Sequence, residues 1–179
     1  VSGEYKFEEM KIHSLNGTDL HGWRIPAPGL AAQAAFLVHG GGSDRREMVR
    51  YIHLFQKRGA DVYLFDLSCH GESPCAVPGL TFGHRESRDI QSIYAHILNN
   101  KNYQRVYAMA TSVGATSVLT ALPVMQKLTA VIAENPMYSF QRFVFETPAA
   151  PSFLPVWFKT MVVQITCRRG RFDGAASPG

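Results

Sequence analysis

Three cysteines in 179 residues, Cys69, Cys75 and Cys167, are too few and too irregularly spaced for a disulfide framework or a zinc site. Such sparse use suits a reducing compartment and points to the cytoplasm. There is no run of 18 or more uninterrupted apolar residues, which excludes an obvious membrane-spanning helix. Charge is not concentrated either. Lys and Arg number 18 against 14 Asp and Glu, a net charge of +4, and the only dense basic cluster is Arg168, Arg169 and Arg171. A nucleic-acid binder gathers its charge on one face, so nucleic acid is excluded as the default partner. Internal repeats and extended low-complexity segments are also missing. The chain opens at Val1 with no signal-peptide pattern, so its start is either processed or internal to a longer protein.

What the chain has is apolar content, 46 % against 18 % charged residues, enough for a sizeable core in one domain or one and a part. Short apolar runs recur at Ala34–Val38, Asp61–Asp66, Arg105–Ala110 and Thr129–Ala133. They do not alternate with polar residues, which marks strands covered on both faces, as in a parallel sheet. Between them lie helical patterns. Met48, Tyr51, Ile52 and Phe55 share a face in the segment 44–58, which Asp44 and Glu47 open as a capping box. Ile90, Ile93, Tyr94, Ile97 and Leu98 form a stripe in 85–99, and a third helix runs from Val113 to about Leu122, where Pro123 interrupts it. The predicted class is α/β: a mostly parallel sheet flanked by helices. Asn16-Gly17 adds an N-terminal antiparallel hairpin between 8–15 and 19–26. The turn also explains the sequon Asn16-Gly17-Thr18 without a glycan. Beyond Glu134, four prolines among aromatics argue against a regular crossover helix in 136–155. A helix then spans 155–167, apolar nearly all round, which must be buried or face a lipid or another chain. Residues 174–179 read as a disordered tail.

Three stretches carry candidate chemistry, each leaving a predicted strand. Val38-His39-Gly40-Gly41-Gly42-Ser43-Asp44 can turn its backbone N–H groups toward a ligand. Arg45 stands where a dinucleotide fingerprint needs a third glycine, and no P-loop lysine follows, so a developing oxyanion is the better ligand than a phosphate. Ala110-Thr111-Ser112-Val113-Gly114 places small residues two before and two after a serine, the requirement of a nucleophile elbow. Asp66-Leu67-Ser68-Cys69-His70-Gly71-Glu72-Ser73 reads as a turn beside the other two, with Cys69 a small buried thiol.

In order and spacing, these three stretches resemble the α/β-hydrolase family over Tyr5 to Pro136, in the serine-hydrolase branch of monoacylglycerol-lipase-like and serine-aminopeptidase-like proteins. The resemblance implies Ser112 as nucleophile and an oxyanion hole from the N–H groups of Gly41 and Val113, with Gly42 an alternative to Gly41. His39 and His70 would line the site. No metal, nucleotide or flavin is implied.

A serine nucleophile needs a base, and in this fold the order is serine, acid, histidine. All seven histidines (His13, His21, His39, His53, His70, His84 and His96) precede Ser112, and only Glu134, Glu146 and Asp173 are acidic after it. Two expectations follow. In one, residues 1–135 are the front of a hydrolase core, 136–179 begin its lid, and the acid and histidine lie beyond the chain. In the other, the chain is a non-catalytic binding or interaction module. The apolar segment after Phe153 suggests a small hydrophobic acyl substrate, or contact of 153–171 with a membrane surface through Lys159, Arg168 and Arg169.

Overall fold

The computed structural model describes residues 5–147 and 153–176. Its frame is a six-stranded sheet in the order β1-β2-β4-β3-β5-β6. The Asn16-Gly17 turn, with Gly17 at φ +78°, joins β1 (Glu8–His13) to β2 (Asp19–Ile25) as the predicted antiparallel hairpin. Asn16 donates its amide to the Arg85 carbonyl and the Asp89 carboxylate, both at 2.8 Å, so its side chain is committed to the fold. β2 continues antiparallel onto β4 (Ala60–Phe65), whereas β3 (Gln33–Val38) lies parallel between β4 and β5 (Arg105–Thr111). β6 (Leu128–Glu134) pairs parallel with β5 at the far edge.

Val38 is in register with Phe65 on one side and Ala110 on the other, so β3, β4 and β5 end level. The loops that leave them therefore emerge side by side. β3 and β4 are buried on both faces, as their unbroken apolar runs predicted. Helices α2 (Glu86–Asn100) and α3 (Ser112–Ala121) cover one face, where Ile90, Ile93 and Ile97 reach Phe36 and Phe65. The other face packs Met48, Ile52 and Phe55 against Leu37, Val62 and Leu64. At the opposite ends of the strands Asp61, 1 % exposed, accepts hydrogen bonds from the Ala27 N–H, the Tyr103 hydroxyl, Arg24 and Lys101. Burial alone would raise its pKa; these donors outweigh that and hold it at about 2.

Several elements depart from expectation. The segment 44–58 is a 3-10 helix, Arg45–Tyr51, passing into a short α1 (Ile52–Gln56). Asp44 does cap it, accepting the Arg46 N–H at 2.9 Å, but the Glu47 carboxylate does not return to Asp44. It takes the Gly40 N–H instead. β6 is not covered on both faces: Ile132 is 51 % exposed, because no described element lies over that side of the strand. Within 136–155 there is a regular helix after all, α4 (Phe140–Glu146), which the Ser139 hydroxyl caps by accepting the Arg142 N–H at 3.2 Å. Pro148 and Pro151 lie outside the described residues. Helix α5 (Val156–Gly170) stands close to its predicted place, and of the alternatives the sequence left for it, burial is not the one realised: Trp157 is 67 % exposed. The start of the expected disordered tail is ordered. Gly174 is buried, and its carbonyl accepts the Gln141 N–H at 2.9 Å; residues 177–179 lie outside the described residues.

Candidate active site

The three loops at the level ends of β3, β4 and β5 meet as one constellation. Ser112 opens α3 directly after β5 with φ +49°, a left-handed conformation that a serine holds only under constraint. The constraint comes from Gly114. A Cβ there would press on the His39 carbonyl oxygen and stand 2.9 Å from Val38 Cγ1, so α3 lies on the end of β3 only because no side chain intervenes. Ala110, fully buried below, supplies the other small residue. Ser112 starts the helix rather than capping it; Thr111 is the N-cap and makes no side-chain cap bond. The Val113 N–H thus belongs to the first turn, where no intrahelical acceptor exists.

The glycine loop lies against this elbow. A Cβ on Gly40 would be 3.4 Å from Ser112 Cβ, and one on Gly41 would be 3.0 Å from Val113 Cγ2. Its three N–H groups differ. Gly40 donates to Glu47 Oε2 at 3.0 Å and Gly42 donates to His70 Nε2 at 3.1 Å. The exposed Gly41 N–H has no acceptor among the described residues.

His39 explains the direction of that group. Its ring is completely buried, and burial pushes its pKa down against the pull of the Gly40 carbonyl, so it is neutral. Its Nε2 accepts the Leu67 N–H at 3.0 Å, which leaves the proton on Nδ1, donated to the Gly40 carbonyl at 2.7 Å. A trans peptide points its N–H away from its C=O, so holding the Gly40 oxygen turns the Gly41 N–H the other way. His70 works similarly: with Nε2 accepting from Gly42, its Nδ1 faces the Ser68 carbonyl at 3.0 Å. Both rings are engaged by backbone.

The third loop is tied to the first by Arg45, which pairs with Asp66 and, at 2.6 Å, with Glu72, and lies 4.3 Å over the Trp23 ring. Asp66 also accepts the Arg45 N–H at 2.7 Å and the Glu72 N–H at 2.9 Å. Gly71, at φ +52°, passes so close to Asp66 that no Cβ would fit. The expectation of a buried Cys69 thiol is corrected here: half-buried Cys69 is disulfide-bonded to Cys75, closing the turn that holds His70. A six-residue separation gave no pairing signal when read as a framework, but the reversal at Gly71 brings the two Cα atoms within 4.4 Å.

A cleft beside Ser112 is lined by Asn135, Met137, Tyr138, Arg142 and Phe143. The Ser112 hydroxyl makes no hydrogen bond to any described side chain. Nor does any group of three or more described His, Cys, Asp or Glu side chains converge on a metal position.

A parallel-centred sheet with a strained serine turn after β5 defines an α/β-hydrolase fold. The profile of the serine aminopeptidase S33 family matches residues 31–173, and the chain belongs to that family. Among solved structures, Pyrococcus furiosus esterase Pf2001 superposes with a TM-score of 0.72 at 21 % identity, covering 88 % of this chain and 61 % of that one. The chain thus spans about three-fifths of that esterase. XC6422 from Xanthomonas campestris, described as an α/β serine hydrolase without lid, gives a TM-score of 0.58 at 17 % identity over 73 % of this chain and 62 % of that one. The Exiguobacterium antarcticum esterase gives 0.56 at 16 % identity, over 70 % and 44 %. No curated protein matches.

The Gly114 contact has a direct consequence. Gly114→Ala must push α3 off β3, costing about 1–3 kcal/mol as an overpacked core does. Urea unfolding should show a lowered midpoint for Gly114→Ala; an unchanged midpoint would contradict the close approach.

Proposed function

We propose that the protein is a serine hydrolase of carboxylic esters with hydrophobic acyl groups, and that Ser112 is its nucleophile. One observation carries this: beside a strained, half-exposed serine stand two N–H groups, of Gly41 and Val113, that have no acceptor among the described residues. In the reaction, Ser112 Oγ attacks the ester carbonyl carbon and its proton passes to a histidine contributed by the rest of the full-length protein. The carbonyl oxygen, now negative, accepts from Gly41 and Val113. The C–O bond breaks, the alcohol leaves with that proton, and water then hydrolyses the acyl-serine. The two similar esterases support an ester over an amide, and Met137 and Phe143 supply apolar wall for an acyl chain. Residues 136–179 begin the lid in this proposal. A fluorophosphonate probe should label the full-length protein at Ser112, and not its Ser112→Ala variant. The 179-residue chain alone should label weakly or not at all. A folded full-length protein that refuses the probe would overturn the assignment and favour the binding-module alternative.

We also assign α5 to a membrane surface. No helix among the described residues is long and apolar enough to cross a membrane. On α5, however, Trp157, Met161 and Ile165 form an exposed stripe at helical spacing, with Phe153 just before it. Arg168, Arg169 and Arg171 stand exposed at its end, and α5 has no acidic residue. Apolar side chains beside clustered arginines complement an anionic bilayer interface. The chain should pellet with vesicles containing phosphatidylserine, and Trp157→Asp should weaken that at least several-fold. Equal binding by the variant, or association only between protein copies, would overturn the assignment.

For location we propose the cytoplasm, where thiol exchange would act on the Cys69–Cys75 bond. Alkylation of the protein in cell extract should then modify both cysteines without prior reduction; protection of both would contradict this.

A further inference from the structure

Among the described residues, Glu47 is the carboxylate that hydrogen-bonds to both segments carrying the oxyanion donors, and nothing in the mechanism above uses it. Its Oε2 accepts the Gly40 N–H at 3.0 Å, and its Oε1 accepts the Thr111 hydroxyl at 3.3 Å. Gly40 immediately precedes one oxyanion donor, Gly41. Thr111 immediately precedes the nucleophile and stands two residues before the other donor, Val113. The carboxylate is therefore a bridge between Gly40 and Thr111, which leave different strand ends. It is held on the 3-10 helix that packs through Met48 beneath the sheet.

The bridge is built to stay charged. Partial burial alone would raise the Glu47 pKa; the Gly40 N–H, the Ser43 and Thr111 hydroxyls and the Arg50 charge outweigh it and hold the carboxyl below its ordinary value. Arg50 approaches from the same helix, at 3.6 Å, so the cation supports the carboxylate without reaching the cleft. A hydrogen bond to an ionised acceptor is roughly twice as strong as a neutral one. The loop it restrains is glycine-rich and otherwise free to wander.

We propose that Glu47 is a positioning residue of the esterase reaction: it sets the distance between the Gly41 and Val113 N–H groups by clamping Gly40 to Thr111. His39 directs the Gly41 N–H, and Glu47 fixes where that N–H stands relative to Ser112. The proposal rests on Ser112 being the nucleophile, but it makes a structural claim of its own.

Two measurements test it. In the full-length protein, Glu47→Ala should lower kcat on an oxoester about 100-fold, since misplacing one oxyanion donor approaches the cost of losing it, with KM within about two-fold. A matching thionoester, whose sulfur is a poor acceptor in the oxyanion hole, should lose much less, so the oxo-to-thiono rate ratio falls. Glu47→Gln keeps an acceptor for Gly40 and should recover most of the rate. Equal losses on both esters, or no loss, would overturn the proposal, and a general structural defect would give the former.

The second measurement needs no activity. In the 179-residue chain, hydrogen exchange at the Gly40 amide should quicken in Glu47→Ala while the Phe36 amide in β3 stays protected. Unchanged exchange at Gly40 would overturn the clamp. Inactive wild-type protein would count against Ser112 alone and leave the exchange result to decide on Glu47.

Discussion

A helix can approach a strand only as closely as the side chains between them allow, and at Gly114 there is none. That single close approach, α3 against the end of β3 at His39 and Val38, sets the rest of the site. It accompanies the left-handed turn at Ser112 and brings the first turn of α3 beside the glycine loop, where a Cβ on Gly41 would stand 3.0 Å from Val113 Cγ2. The level register of β3, β4 and β5 makes this approach possible, because it delivers three loops to one edge.

Once together, the loops are held by polar groups that the interior would otherwise penalise. His39 and His70 each accept one backbone N–H and face one backbone carbonyl, so neither ring is free to take a proton from Ser112. They are struts, and with Glu47 taking the Gly40 N–H and His70 the Gly42 N–H, Gly41 is left as the unengaged donor of the three among the described residues. Arg45 repeats the pattern on the other side, bonding Asp66 and Glu72 and covering Trp23, so the third loop cannot move without the first.

Most of the frame was legible in the sequence, because the rules that govern it are local. Unbroken apolar runs announced the doubly covered strands, Asn16-Gly17 the hairpin, and the small residues Ala110 and Gly114 the serine turn. What escaped was set by partners distant in the chain. Glu47 stands three residues after Asp44, as in a helix cap, and nothing nearby reveals that its carboxylate is drawn to Gly40 by the packing of the 3-10 helix. Cys69 and Cys75 pair because the chain reverses at Gly71. The apolar composition of α5 left burial, a lipid and another chain open, because which side chains face outward depends on what packs against the helix, and periodicity is uninformative when a helix is apolar all round. β6 looked covered for the same reason: composition reports the capacity to be buried, and the neighbouring elements decide the outcome.

In the proposed reaction, Gly41 and Val113 together hold the oxyanion formed at Ser112. The most direct test is a crystal structure of the full-length protein after reaction with a fluorophosphonate. The account predicts phosphorus bonded to Ser112 Oγ and its phosphoryl oxygen within hydrogen-bonding distance of both N–H groups, with Gly42 still bonded to His70. A phosphoryl oxygen directed elsewhere, or held by Gly42 after release of His70, would contradict it.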